Sequence, residues 1–144
     1  MSTFSKFVAS NVSSGRSTGA QAGRSFDEVR GTFRDAPPLL ELDRNDEPRP
    51  TRRLSDLPTS SRKPTNLWIL AWDPDEERLS KISLPFWMLR LGHNNVDVRQ
   101  RGDSGGDFDL ENLDLDFVEL ERVGPLLILD FRAPDGRRVL VWTE

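Results

Sequence analysis

The densest run of chemically active side chains in this sequence is acidic. Gly102 to Glu121 holds eight carboxylates and no Lys or Arg. Divalent-cation binding requires oxygen ligands at set spacing, a central glycine and a terminal bidentate Glu. Asp107, Asp109 and Glu111 alternate as ligands should. However, Phe108 and Leu110 stand between them, and the glycines precede the acids. The spacing therefore fits an acidic face for a basic partner, or a solvated face, better than a metal loop. No metal or other cofactor is implied.

Catalytic chemistry finds little else to work with. His93 is the single histidine and sits beside Asn94 and Asn95, just past a helix end. A catalytic base needs a nucleophile and an orienting group nearby. The chain has no cysteine and no Gly-x-Ser-x-Gly elbow. It also lacks the Gly-rich loops that cradle phosphates. Paired carboxylates can do acid–base work, yet 24 acids leave no basis for choosing a pair. The expectation leans away from an enzyme.

Recognition has better candidates. Trp68, Trp72, Trp87 and Trp142 are many for so short a chain. They suit a packed core, an aromatic groove or homodimer interface, or the walls of an apolar pocket for a small molecule or lipid. Arg49, Arg52 and Arg53 open a basic stretch that reaches Arg62 and Lys63. It is a candidate contact segment, diluted by acids and lacking the aromatics that stack nucleic-acid bases. Arg52-Arg53-Leu54-Ser55 also fits a basophilic kinase pattern, against the plainer reading of a linker.

These residues must be positioned by local elements. Leu67 to Trp72 is apolar on both faces and reads as a central strand. Trp68 and Trp72 then share one face. Asp73-Pro74-Asp75 starts a turn, and Arg78 to Leu84 returns as a strand. In that strand Ile82 and Leu84 face one way and Lys81 and Ser83 the other. Pro85 suits the first helical position, and a short helix then runs to Gly92. Asn94 to Gln100 reads as a short strand. Asp116 with Glu119 marks another helix start, which Gly124-Pro125 stops. Leu126 to Phe131 and Val139 to Trp142 flank an Ala-Pro-Asp-Gly turn. The two hairpins share a plan of strand, Pro-Asp turn, basic residue and strand. The expected fold is α+β: a small antiparallel sheet of two similar β-hairpins, four strands or more in all, with one or two short helices on one face.

The rest of the chain differs in character. Residues 1–65 hold 17 hydrophobic residues and a net charge of +3, whereas residues 66–144 hold 34 and −7. Such a polar segment offsets little backbone entropy. The expected division is a long, largely disordered N-terminal tail over 1–65 and a folded core over 66–144. Inside the tail, Phe26, Val29 and Phe33 stand at helical spacing after Ser25, a candidate cap. Residues 1–26 lack acids, a composition shared by organelle-targeting or secretion leaders. Without a span or a secretory signal, the expected site is cytoplasmic, with organelle targeting or export through the tail as the alternative.

The chain has 144 residues, a net charge of −4 and 35% hydrophobic residues. This balance disfavours a general polyanion binder. Two functions stay open. One is a non-enzymatic protein-interaction or regulatory module with an acidic core and a flexible basic tail, its partner another protein or a second copy. The other is a small-molecule or lipid-binding domain with a tryptophan-lined apolar pocket.

Overall fold

The computed structural model describes residues 11–34, 36–42, 47–92 and 116–144. The elements in chain order are β1 (Asn11–Arg16), α1 (Gly19–Thr32), β2 (Leu40–Leu42), β3 (Pro48–Pro50) and a 3-10 turn (Leu54–Asp56). Then come β4 (Asn66–Asp73), β5 (Arg78–Pro85), α2 (Phe86–Gly92), α3 (Phe117–Val123), β6 (Leu126–Arg132) and β7 (Arg138–Thr143). The described strands make one sheet in the order β1-β5-β4-β7-β6-β2-β3. Every pairing is antiparallel except β2 with β6.

The sheet is covered on both faces, and period-two alternation sorts its residues. One face buries Leu67, Ile69, Leu84, Leu129 and Val141, with Ile128 beside them. Phe86 and Leu89 of α2 and Leu120 of α3 complete this core. The other face carries Leu70, Leu127, Leu140 and Trp142 under Phe26 of α1. β4 is the central doubly covered strand that its apolar run implies.

Both expected hairpins form, and β4 pairs with β7 to join them. Their likeness does not extend to register. β4 and β5 pair residue for residue, whereas β6 shifts against β7 between Leu127 and Leu129. This bulge lets both Ile128 and Leu129 serve the same core. The turns also differ: one places Glu77 at φ 49°, the other Gly136 at φ 100°.

Part of the stretch before Asn66, expected as a largely disordered tail, is built into the sheet. Three strands and the longest described helix come from residues 11–50. Two physical reasons account for this. β1 gains ladder hydrogen bonds along β5, which a count of apolar residues does not register. The few apolar residues are also well placed. Phe26 enters one core, while Leu39 and Leu40 enter the other. The polar stretch after β3 is held by Arg122 of α3, whose Nη2 donates to the Leu54 carbonyl at 2.8 Å and whose Nη1 donates to that of Leu57 at 2.9 Å.

The start of α1 also differs from the expected cap at Ser25. Thr18 is the cap: its hydroxyl accepts from the Gln21 amide, and Gln21 Oε1 accepts from the Thr18 amide. This capping box starts the helix two turns earlier. The α3 boundaries match the sequence signals. Asp116 accepts from the Val118 and Glu119 amides, and Gly124 at φ 86° ends the helix. A Cβ at Gly124 would lie 2.6 Å from Ser60 Cβ and 2.9 Å from the Arg62 carbonyl oxygen, so glycine is required sterically. No helix among the described residues is long and apolar enough to cross a membrane.

Candidate functional site

The face beneath α1 gathers three of the four tryptophans. Register places Trp68 of β4 opposite Trp142 of β7, and alternation puts Trp72 on the same side. The Trp68 and Trp142 rings stack with centroids 6.1 Å apart and planes 10° apart. Trp142 is 2% exposed, and its indole Nε1 donates to Glu144 Oε1 at 3.0 Å. From β5, Lys81 sets its ammonium 4.8 Å from the Trp68 ring centroid, a cation–π contact. The indole pair is thus fixed at one end by a carboxylate and at the other by an ammonium.

α1 is anchored at the far side of this face. Asp130 of β6, whose side chain is 6% exposed, pairs with Arg30 of α1. Arg138 of β7 grips the same carboxylate with Nε and Nη2, each at 3.2 Å. The Arg138 guanidinium also lies 4.4 Å from the Phe26 ring centroid. Arg132 stands 3.9 Å from Asp130 Oδ1. A buried carboxylate needs such partners. Here they come from the helix and two strands, so the cluster fixes where α1 lies.

The anchor leaves a gap. Between α1 and the sheet lies a cleft of about 370 Å³. Leu70, Leu79, Val29 and Trp142 give it an apolar floor and wall. Its polar rim holds Glu28, Glu144 and Lys81 together with the hydroxyls of Ser13, Ser25 and Thr32. The strands supply a rigid base, while α1 supplies Ser25, Glu28, Val29 and Thr32 from successive turns. Two carboxylates against one ammonium make the rim net negative. On the same strand face, Ser83 Oγ is buried without a hydrogen-bond partner among the described residues. Nothing in the geometry accounts for that oxygen.

The other expected site residues lie apart from the cleft. Trp87 is on α2, over the opposite face, and 44% exposed. The four tryptophans therefore do not form one groove. Arg49 is on the edge strand β3, Arg52 donates from Nη2 to the Pro37 carbonyl at 3.0 Å, and Arg53 is exposed before the 3-10 turn. None of the three lines the cleft. Asp107, Asp109, Glu111, His93 and the expected strand Asn94 to Gln100 lie outside the described residues. Among the described residues, no three acids or histidines gather as a metal would require.

Sequence reasoning singled out the tryptophans but not the polar rim. Lys81 was findable, because alternation sets it opposite Ile82 and so on the face of Trp68. Glu28, three residues after Ser25, suggested a capping-box partner rather than a rim carboxylate. Glu144 carried no signal at all, since its role follows from a register 76 residues away, Leu67 with Thr143. No family model, curated protein or solved structure matches the chain, so its function rests on this geometry.

Proposed function

We propose that the protein is a non-enzymatic binding domain whose α1 cleft takes a small amine- or hydroxyl-bearing molecule. The observation that carries this reading is the cleft itself, a concavity of about 370 Å³ with an apolar floor and a mixed polar rim. Small-ligand sites fall within about 300–1,000 Å³; this one is open and mainly polar in its lining, which suits a hydrophilic ligand. The net negative rim disfavours phosphate and carboxylate ligands. A cationic amine would meet Glu28 and Glu144, and hydroxyls would meet Ser13, Ser25 and Thr32. The rim is too polar for a lipid tail, so this reading departs from a wholly apolar pocket.

Tryptophan emission supplies the test, since Trp142 lines the cleft. The full chain would be titrated with polyamines, amino sugars, polyols and matched phosphorylated or carboxylated compounds. Amine- or hydroxyl-bearing compounds should change the emission and raise Tm; the anionic set should not. Glu28→Gln should weaken the best ligand about tenfold, the worth of one charge-assisted hydrogen bond. The reading fails if no compound acts at millimolar concentration, or if Glu28→Gln and Glu144→Gln bind as the parent does. The protein-partner reading draws support from a different place, the edge of the sheet.

A further inference from the structure

We infer that β1 pairs antiparallel with β1 of a second copy, joining two sheets across a two-fold axis. The inference starts from the two ends of the strand order. At one end β3 is three residues long and reads Pro48-Arg49-Pro50. Its prolines have no N–H to offer, so this edge is closed to further pairing. At the other end β1 runs six residues, Asn11–Arg16, with no proline and no acid. Its only strand partner among the described residues is β5. Residues Ser13 to Arg16 are exposed, and a Cβ at Gly15 would meet open space.

The backbone direction settles which groups are on offer. The Ser17 amide donates to the Glu77 carbonyl at 2.9 Å, continuing the register that pairs Gly15 with Leu79 and Ser13 with Lys81. In an antiparallel ladder, bonded and non-bonded residues alternate. The odd-numbered residues therefore bond to β5. The amides and carbonyls of Val12, Ser14 and Arg16 point outward.

Those three residues are self-complementary. A two-fold axis through Ser14 sets Ser14 against Ser14 of the second copy and Val12 against its Arg16. Each facing pair exchanges two bonds, giving about six new backbone hydrogen bonds. The two Arg16 positions fall about 14 Å apart along the strands, beyond the roughly 8 Å screening length at physiological salt. No like charges face each other. The alternative, β1 against β3 of the next copy, would build a ring or an open filament, and the prolines of β3 prevent it. Only the closed, two-fold arrangement remains between copies.

Ser14 gives direct tests. Its amide points outward, so Ser14→Pro removes an intermolecular donor without breaking the β5 ladder. The full chain should sediment as a dimer at high micromolar concentration, and Ser14→Pro should sediment as a folded monomer, whereas Ser14→Ala, which loses the same hydroxyl contacts to Ser80 and Arg78, should stay a dimer. The chain has no cysteine, so Ser14→Cys gives a clean cross-link. Facing residues of a bonded pair lie about 5.5 Å apart at Cα, within disulfide reach. Under mild oxidation Ser14→Cys should form a covalent dimer, and the control Arg49→Cys on β3 should not. A parent chain that stays monomeric at every concentration overturns the inference. So does a dimer that persists in Ser14→Pro, or equal cross-linking of both variants. A monomer that instead captures an extended peptide along β1 overturns self-pairing and assigns the edge to a foreign strand.

Discussion

The two faces of the sheet are both buried, yet they are built by different means. Beneath α2 and α3 the contacts are aliphatic and aromatic: Leu67, Ile69, Leu84, Ile128, Leu129 and Val141 against Phe86, Leu89 and Leu120. Beneath α1 a single polar helix does the covering. It supplies one fully buried aromatic, Phe26, with Val29 and, just past the helix end, Phe33 half-buried beside it. The sheet answers with Leu70, Leu127 and Leu140, and the remaining area is closed by stacked indoles, a cation over a ring and a carboxylate shared among arginines. Apolar contact is non-directional and fills space, whereas charge pairs set position and tolerate gaps. The first face can therefore supply most of the stability. The second determines where α1 sits and leaves a cleft along its margin.

Removing the largest side chain of the second face tests whether that face contributes stability at all. Trp142→Ala deletes a side chain that is 2% exposed, stacked on Trp68 and bonded to Glu144. The expected loss is about 3–5 kcal/mol, the range for a buried Trp replaced by Ala. Chemical denaturation reads it directly. A change below about 1 kcal/mol would mean that the face under α1 is packed too loosely to count as core. The next effect is smaller and more local. Asp130→Asn keeps the shape but leaves Arg30 and Arg138 facing a neutral amide. Breaking a fully buried pair costs about 3–5 kcal/mol, and the partial exposure of both arginines reduces this to about 2–3. The loss should fall on α1, so its amides should exchange faster while those of β4 and β5 keep their protection. Uniform loss of protection across both faces would show that the cluster supports the whole fold rather than placing the helix.

The sequence conveyed these two faces unequally. Short-range signals were reliable: the apolar run of β4, the Asp116 cap and the Gly124 stop of α3 all appear where their residues imply. The alternation in β5 even sorted Lys81 and Ser83 from Ile82 and Leu84. Long-range pairings were hidden. Asn-Val-Ser-Ser-Gly-Arg carries almost no strand propensity and is a strand because β5 offers it a ladder. β2 joins the sheet through a parallel pairing of Leu40 with Leu129, which local patterning does not reveal. The site inherits the same split. Its indoles were evident from residue type, whereas Glu28 and Glu144 meet at one cleft only after α1 is anchored through Arg30 and Asp130.

The smallest expected effect concerns a signal that was present in the sequence and easy to overlook. Thr18-Gly19-Ala20-Gln21 is a capping box, with Gln21 as the reciprocal partner. It starts α1 immediately after β1, where Ser17 still bonds to Glu77 of the β4–β5 turn. The cap therefore sits at the junction of the edge strand and the helix that roofs the cleft. Thr18→Ala should cost about 1 kcal/mol, as cap removal does elsewhere. Because the cap acts on the first turn, amide exchange should quicken near Gln21 and Ala22 and fade towards Arg30, which Asp130 holds. Ligand affinity at the cleft should fall less than with Glu28→Gln, since the rim residues of α1 lie from Ser25 onward. If exchange instead quickens evenly along α1, the helix moves as one body. The Arg30–Asp130 pair would then be no firmer an anchor than the cap, and the contrast between a packed face and a positioned face would weaken accordingly.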